Sequence, residues 1–414
     1  MAVCGIRGTQ PRPWVFRLFA LAVVSIALAG CGGMSRLGSL FSDSDSSQTQ
    51  SVPSMPSGEG AKVALLLPLT ASGDQAQIAL SMKQAAEMAL IDAGSSGITL
   101  ISKDTAGTAA GAASAAQSAL SEGAELILGP LLGAEVQAIA PLAQGQNVPV
   151  IAFSSSSGVA GNGTYLMSFL PEEEVANIVR HMASTGKTSL AALLPKVQYG
   201  LAVEKALVTS AQRYGVSIAA IERFPRNNLA IVDPVNKVMT AVNDPSRNVQ
   251  ALLVAEGGEL LRTLGAALKK AGYDQSKVQT LGTGLWDNPV TSATSIAIGG
   301  IYAGVSPDLV QRFDDRYKSS YGTRPSRLAS LAYDAVSLAI ILSKGETGQR
   351  FSATSITNPE GFQGINGLFR FRENGIIERG LSVLEVTSSG VKVVAPAPSR
   401  FGSETVSGAN SVAN

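Results

Sequence analysis

The sequence is poor in the residues that most often carry chemistry. Its 414 residues include two cysteines, Cys4 and Cys31, and one histidine, His181. Because both cysteines lie near the N-terminus, the rest of the chain can form no disulfide and no cysteine-based metal site. No combination of His, Cys and carboxylates has metal-ligand spacing. His181 lies in a predicted helix, where a packed or solvated side chain is expected rather than a catalytic base.

Two catalytic signatures are also missing. A serine nucleophile on a sharp turn would need the G-x-S-x-G pattern, which the chain lacks. The glycine-bearing loops "GPLLGAE" and "GTGLWDNP" do not have the G-x-G-x-x-G pattern of nucleotide-binding turns. We therefore predict that the protein is not an enzyme and that it uses no cofactor and no metal.

Charge is scarce and nearly balanced. The first thirty residues contain three of the 32 Lys and Arg residues, so 29 remain in the rest of the chain against 31 Asp and Glu. No run of basic residues occurs, which argues against a nucleic-acid partner.

A secretory signal accounts for the N-terminus. Residues 1–30 carry Arg7, Arg12 and Arg17 and no acid, followed by an apolar run over 18–29. This order is typical of a removable signal peptide. The run is shorter than the ~20 apolar residues that a spanning helix needs.

The signal ends in "LAGC" at residues 28–31, which resembles the lipobox of bacterial lipoproteins. That resemblance implies cleavage before Cys31 and attachment of lipid to Cys31, which would anchor the protein to a membrane. The alternative is an ordinary secretory signal followed by a chance cysteine. We predict a location in the periplasm of a Gram-negative bacterium, with the lipid in the outer or inner membrane. Residue 32 is Gly and not the Asp that resembles an inner-membrane retention signal, which favours the outer membrane.

Three further regions follow from composition. Residues 31–60 are rich in Ser, Gly, Asp, Gln and Pro, so they are predicted to form a flexible linker reaching on the order of 30 Å. Residues 61–395 form the body, and residues 396–414 are predicted to be a disordered tail.

The body alternates short apolar runs with alanine-rich segments of helical spacing. The runs include "KVALLL" (62–67), "ITLISKD" (98–104), "ELILGP" (125–130), "VPVIAF" (148–153), "SLAALL" (189–194), "VSIAAIE" (216–222), "VQALLVA" (249–255) and "GIYAGV" (300–305). Continuous apolar strands indicate parallel sheets covered on both faces, and their alternation with helices predicts a doubly wound α/β fold. The body is longer than one comfortable core, so two lobes are expected.

Four consecutive serines follow one of these runs directly. Ser154, Ser155, Ser156 and Ser157 come after "VPVIAF" and precede Gly158. Ligands of open α/β sheets bind beyond the carboxyl ends of the strands, so these hydroxyls are predicted to contact a small polar ligand. The alternative is a solvated turn whose serines bond their own backbone.

Five segments, in order, resemble the type I periplasmic binding proteins of the leucine/isoleucine/valine-binding class. They are "GPLLGAEVQAIAPLAQGQNVPVIAFSSSSG" (129–158), "SFLPEEEVANIVRHM" (168–182), "VQYG" (197–200), "RFDDRYKSSYGTRPSRLASLAYDAV" (312–336) and "GINGLFRFRENG" (364–375). The resemblance implies two Rossmann-like lobes joined by a three-stranded hinge that close on a ligand. The predicted ranges are 61–170 and 285–364 for lobe one, and 171–284 and 365–395 for lobe two.

The same resemblance implies the site. The serine loop, Ser155 and Ser156 above all, matches the segment that contacts an amino acid's backbone atoms. Glu173 falls where the family places a polar or acidic contact, and Tyr199 resembles the aromatic residue that covers the ligand. Glu173 could instead stabilise its helix N-terminus, and Tyr199 could simply pack between strand and helix.

Two further residues are candidates from their positions alone. Glu256 ends the strand "VQALLVA" and is a second possible anion, and Trp286 could line the cleft or brace the hinge. For both, a structural role is the alternative that we favour.

One departure from the family pattern bears on function. After Gly129 and Pro130 the family commonly has a serine that holds the ligand carboxylate, whereas this chain has Leu131, Leu132 and Gly133. The first hypothesis is a solute-binding lipoprotein that captures an amino acid or similar molecule for an ABC-type permease. The second is a non-transport regulator that resembles the lipoprotein activators of peptidoglycan synthases (penicillin-binding proteins).

Overall fold

A computed structural model describes residues 60–94, 97–226 and 230–401. The predicted signal, Cys31 and almost all of the predicted linker lie outside these residues, as do residues 402–414 of the predicted tail. All the elements below belong to one compact unit, which begins at Gly58.

The first sheet is entirely parallel, with the order β2-β1-β3-β4-β5. Its strands and helices are β1 (Ala61–Leu67), α1 (Asp74–Ala93), β2 (Ile98–Asp104), α2 (Ala109–Ser121), β3 (Leu126–Leu128), α3 (Gly133–Gln144), β4 (Val150–Ala152) and β5 (Thr164–Leu166). Helices α2 and α3 cover one face. Helix α1 covers the other, and β1, β3 and β4 are buried almost throughout because neither face meets water.

The second sheet has seven strands in the order β15-β14-β10-β9-β8-β6-β7. Its elements are α4 (Pro171–Ser184), β6 (Ser189–Pro195), α5 (Gln198–Tyr214), β7 (Ser217–Phe224), α6 (Val232–Val242), β8 (Ala251–Val254), α7 (Gly258–Lys270), β9 (Gln279–Leu281), α8 (Pro289–Ser292), β10 (Ile301–Gly304), β14 (Ser382–Thr387) and β15 (Gly390–Ala395). The pairs from β7 to β10 are parallel, and β14 and β15 add antiparallel strands at one edge. Helices α4 and α5 cover one face, and α6 and α7 the other.

Between β10 and β14 the chain returns to the first sheet. It forms α9 (Pro307–Tyr321), α10 (Ala329–Leu342), α11 (Ala353–Ile356) and a small antiparallel sheet of β11 (Phe362–Gly364), β12 (Gly367–Phe371) and β13 (Ile377–Arg379). Apolar side chains of α10 and of the small sheet pack into the core that α1 shares with β1. Helix α10 thus completes the covering of the first sheet.

Asp334 in α10 fixes the small sheet. Its carboxylate accepts hydrogen bonds from Ile365 N at 2.7 Å and from Asn366 Nδ2 at 2.8 Å. Asp334 is 1% exposed, and burial raises the pKa of its carboxyl group. The "AYDAV" segment therefore serves to hold the turn between β11 and β12.

Three described segments connect the two large sheets: residues 167–170, 305–306 and 380–381. They meet in a small apolar cluster that includes Phe169, Val305 and Leu381. The two-lobed α/β architecture predicted from the sequence is thus the one observed, and these segments are where a hinge would act.

The sheet pairing differs from the predicted lobe ranges in two places. Strand β10, within the range 285–364 predicted for lobe one, pairs with β9 and β14 of the second sheet. Strands β12 and β13, predicted in lobe two, pack on the first core. Strands of both sheets have the same apolar pattern, so the pattern does not reveal which strands pair with each other. The points at which the chain passes from one sheet to the other therefore could not be predicted from it.

The first residues of the predicted tail, 396–401, lie within the described part of the chain. Ala397 N donates to Ser382 Oγ at 3.1 Å, and the Arg370 guanidinium lies 4.5 Å from the centre of the Phe401 ring. Residues 396–401 therefore pack on the body.

Candidate ligand-binding site

A cavity of about 500 Å³ opens between loops of the two large sheets. It is lined by residues after β4, in the first connecting segment and at the start of α4, at the start of α5, after β9 and before α10: Ser155, Ser156, Ser157, Gly158, Phe169, Pro171, Glu174, Gln198, Tyr199, Ala202, Gly284, Leu285 and Arg327. We call this cavity the cleft. Its position beyond the carboxyl ends of β4, β6 and β9 is the one expected for ligands of open α/β sheets.

The serine loop divides its hydroxyls between structure and cleft. Ser154 is 3% exposed, and its Oγ accepts a hydrogen bond from Ser156 N at 3.1 Å. Ser155 and Ser156 are exposed and line the cleft together with Ser157. Ser154 thus shapes the loop, while the next three serines can offer hydroxyl groups to a ligand.

The segment that lacks the expected serine lies against this loop. A Cβ atom on Gly133 would lie 3.2 Å from Ser156 Cβ, so glycine lets the start of α3 approach the serine loop closely. Leu131 packs against the core of the first sheet. Residues 131–133 are absent from the cleft lining and have no side-chain donor.

Glu174, which sequence reasoning did not select, is the acid of the cleft. Its Oε2 accepts a hydrogen bond from Gly284 N at 2.8 Å, and its Oε1 lies 4.0 Å from Arg327 Nη2. Burial raises the pKa of the Glu174 carboxyl group, and the Arg327 charge opposes that rise.

Glu173, the predicted contact, lies outside the cleft lining. It is 6% exposed, and its Oε1 lies 3.4 Å from Arg372 Nη2. Burial raises the pKa of Glu173 to about 7. Adjacent positions of a helix point about 100° apart, so Glu174 lines the cleft while Glu173 does not.

Arg327 is the cation of the cleft lining, and it too was not selected from the sequence. Its Nη1 donates to Gly284 O at 3.2 Å, and its Nε lies 3.6 Å from Asp287 Oδ2. The guanidinium stands 4.6 Å from the centre of the Phe169 ring. A positive side chain just before a helix is unfavourable, because it lies at the positive end of the helix dipole. The position of Arg327 before α10 was therefore the signal in the sequence that this arginine has another role.

Tyr199 lines the cleft on the side of the second sheet. Its hydroxyl donates to Thr283 Oγ1 at 2.7 Å, and burial raises the pKa of the phenol. The tyrosine hydroxyl therefore stays protonated, with its oxygen lone pairs still able to accept a hydrogen bond.

Glu256 and Trp286 are near neighbours of the cleft but do not line it. Glu256 is 3% exposed, with its Oε2 3.0 Å from Arg226 Nε. Trp286 is fully buried, and its Nε1 donates to Glu256 O at 3.1 Å. Gly282 gives the indole ring room, since a Cβ there would lie 2.1 Å from Trp286 Cδ2. Both residues hold the loops beside the cleft.

His181 lies apart from these groups. It borders a different surface cavity with Lys187 and Gln279, and burial lowers the pKa of its imidazole, assisted by the Lys187 and Arg180 charges. Within the described ranges, no cluster of His, Cys, Asp and Glu residues could hold a metal ion. No described helix has both the length and the apolar character to cross a membrane.

Residues 60–391 match the family model for periplasmic binding proteins. The chain belongs to the periplasmic binding protein family. Its members are binding proteins rather than enzymes, which agrees with the prediction of no catalysis, and the family implies a periplasmic location. No curated protein matches the chain.

Solved structures share the periplasmic binding protein fold. A putative branched-chain amino acid ABC transporter protein from Rhodospirillum rubrum is 18% identical, with a TM-score of 0.71 over 81% of this chain and 100% of its own. A branched-chain amino acid ABC transporter ligand-binding protein from Burkholderia xenovorans is 15% identical, with a TM-score of 0.67 over 81% and 95%. A Rhodopseudomonas palustris solute-binding protein, solved with 3,4-dihydroxybenzoic acid, is 19% identical, with a TM-score of 0.58 over 83% and 97%.

Proposed function

We propose that this periplasmic binding protein is lipid-anchored through Cys31, captures a small polar ligand in the cleft and delivers it to an ABC-type transporter. The observation that carries the proposal is a cleft with one acid, Glu174, and one cation, Arg327, beside free serine hydroxyls. Apolar walls with a few convergent polar groups are typical of small-molecule sites.

An α-amino acid is the ligand class that these groups suit best. Its carboxylate would accept hydrogen bonds from Ser155, Ser156 and the Arg327 guanidinium, and its ammonium would approach Glu174. Tyr199 and Leu285 offer apolar surface for the side chain. Arg327 takes over the role of the donor that is missing at residues 131–133, because a guanidinium binds carboxylates through paired hydrogen bonds.

The relatives support a small carboxylate in general. Two of the similar structures are named as branched-chain amino acid transport proteins, and a third was solved with 3,4-dihydroxybenzoic acid. A carboxylate is common to both ligand types, and Arg327 with the serine loop would bind that shared group. The acid Glu174 is what favours an amino acid over a simple aromatic acid.

Regulation of a peptidoglycan synthase is the second candidate function. It is favoured by the absence of a side-chain donor at residues 131–133 and by the contacts of Arg327 with Glu174 and Asp287 beside the cleft. A cleft held together by the protein's own charges could serve as a rigid scaffold for a protein partner.

A melting experiment separates the two functions. The mature chain, with Cys31→Ser so that it is purified without lipid, is heated with single L-amino acids, benzoate or soluble cell-wall fragments. A ligand at a hundred times its dissociation constant adds about 2.7 kcal/mol to the free energy of unfolding. We expect a rise in melting temperature with at least one amino acid.

Variants then test the site. Ser156→Ala and Tyr199→Ala should each weaken that ligand by ~1–3 kcal/mol, since a buried polar group loses its partner or a covering contact is lost. Ser121→Ala is the matched control, because its hydroxyl bonds only Ser118 O of its own helix. A flat melting response to every small molecule would reject the capture function and favour the regulator.

A further inference from the structure

A second cavity, of about 290 Å³, lies beside the segments that connect the two large sheets. It shares no lining residue with the cleft. Helix α4, the end of α5, the turn between β12 and β13, and residues 398–401 surround it. We call it the arginine cavity, after the five residues described next.

Positive charge dominates its lining. Five arginines line it against two acids, Glu173 and Glu378, which gives a formal excess of three positive charges. The arginines come from different parts of the fold: Arg180, Arg213, Arg372, Arg379 and Arg400. Such an excess on the wall of a small cavity strongly favours an anion inside it.

One of these arginines is incompletely bonded inside the protein. Arg379 is 3% exposed, and its Nε donates to Ser168 O at 3.1 Å. Its Nη1 is buried and has no hydrogen-bond partner among the described residues. A buried guanidinium without a full set of partners is costly, and an anion held nearby would offset its charge.

The other arginines have side chains within reach of the same space. Arg372 lies between Glu173 and Glu378, 3.4 Å from an oxygen of each. Arg180 Nη2 donates to Asn177 Oδ1 at 2.6 Å, and the Arg213 guanidinium lies 5.5 Å from the centre of the Tyr214 ring. Each guanidinium has five N–H donors, so Arg372 and Arg180 can bind an anion while keeping these contacts.

We propose that the arginine cavity binds a phosphate-type dianion, either inorganic phosphate or the phosphate group of a small ester. Guanidinium groups form paired, charge-assisted hydrogen bonds with phosphate oxygens. Arginines that approach from several directions suit one compact tetrahedral group better than an extended chain. The cavity volume is just below the usual range for small-molecule sites, which also fits a small anion.

Binding there would link the two sides of the hinge. Arg372 belongs to the turn after β12, which packs on the first core, whereas Glu173 and Arg180 belong to α4 on the second sheet. An anion held by Arg372 and Arg180 therefore connects both sides independently of the cleft. The site does not depend on the function proposed for the cleft.

Calorimetry with inorganic phosphate tests the proposal. The mature chain carrying Cys31→Ser is titrated with sodium phosphate and, separately, with glycerol phosphate and succinate, at constant ionic strength set with sodium chloride. We expect saturable binding of phosphate, and a weakening of about tenfold or more in a variant with Arg180→Gln and Arg400→Gln, because two charged donors are lost.

The matched control carries Arg262→Gln and Arg312→Gln, two exposed arginines outside the cavity lining. It should bind phosphate like the unchanged protein. Arg180 and Arg400 are exposed, so the cavity variant is expected to fold, and its circular dichroism spectrum checks this. Binding of glycerol phosphate as well would show that esters fit, whereas binding of inorganic phosphate alone would restrict the site to the free ion.

Three results would overturn the proposal. They are no saturable binding of phosphate, equal weakening in the cavity and control variants, and binding of succinate in place of phosphate.

Discussion

Arg327 and Glu174 approach each other across the cleft, with Nη2 of the arginine 4.0 Å from Oε1 of the glutamate. Arg327 precedes α10, which covers the first sheet, and Glu174 belongs to α4, which covers the second. The pair therefore joins the two sides of the cleft, in addition to the three connecting segments. It also places the two charges that a zwitterionic ligand needs within one cavity.

Arg327→Gln should weaken binding of an amino acid about tenfold or more, because a charge-assisted contact to the ligand carboxylate is lost. It should also lower the free energy of unfolding by ~1 kcal/mol, since Glu174 loses its countercharge while the half-exposed arginine is itself partly screened. Calorimetry and urea unfolding measure the two effects.

Arg312→Gln is the control for that prediction, because Arg312 lies on α9 and does not line the cleft. It should leave ligand affinity unchanged. Unchanged affinity in Arg327→Gln as well would remove Arg327 from the binding site.

Glu173 should make stability depend on pH. Its pKa is raised to about 7, mainly by burial. The Arg372 charge and a hydrogen bond from the backbone N–H of Arg379 lower the pKa, while the Glu378 and Glu172 charges add to the rise. The folded protein thus binds a proton more tightly than the unfolded chain, whose carboxyl has a pKa near 4.5. The contribution of Glu173 to the free energy of unfolding is therefore largest below pH 4.5 and falls as pH rises to about 7.

Glu173→Gln should remove that fall. Relative to the unchanged protein, the free energy of unfolding of the variant should rise by ~1–3 kcal/mol between about pH 5 and pH 8, because glutamine cannot ionise. Urea unfolding at both pH values measures the difference. Glu259→Gln, on an exposed acid paired with Arg262, should show no such gain. A parallel pH response in both variants would contradict the assignment.

Asp334 should be among the most sensitive polar positions of the fold. Asp334→Ala leaves Ile365 N and Asn366 Nδ2 without their buried acceptor. We expect a loss of ~2–4 kcal/mol in the free energy of unfolding. Chemical denaturation measures it, and Asp308→Ala in the first turn of α9 serves as an aspartate control with a small expected effect. A loss below about 1 kcal/mol would mean that the turn between β11 and β12 has other support.

The strands that were predicted from apolar runs share one property. All eight predicted runs contain an observed strand, from β1 to β10. Six of these strands are largely buried, as an uninterrupted apolar sequence indicates, whereas β2 and β7 lie at sheet edges and are partly exposed. Strands β5 and β9 were not predicted, since each is short and begins with a polar residue instead of forming an apolar run. The antiparallel pair β14 and β15 was missed as well, and β15 is largely exposed.

The position of the cleft was predictable from the sequence, but the set of residues that line it was not. Ser155, Ser156 and Tyr199 line the cleft, and strand ends and helix starts can be placed from the pattern. The choice between Glu173 and Glu174 depends on the rotation of α4, which three consecutive glutamates do not reveal. Arg327 reaches Glu174 through packing between distant parts of the chain, so no local pattern indicates the pair.

Lipid attachment can be tested through the two cysteines of the sequence. Cys31→Ser should move the protein from the membrane fraction to the soluble periplasmic fraction. The lipid chains attached to Cys31 are what would hold the protein at the membrane, and serine cannot carry them. Cys4→Ser is the matched control, since Cys4 lies within the predicted signal and should leave the protein on the membrane. Incorporation of labelled palmitate into the parent and the Cys4 variant, but not into the Cys31 variant, is the expected result. Release of both variants would favour an ordinary secretory signal and a freely diffusing binding protein, whereas retention of both on the membrane would mean that Cys31 is not the anchor.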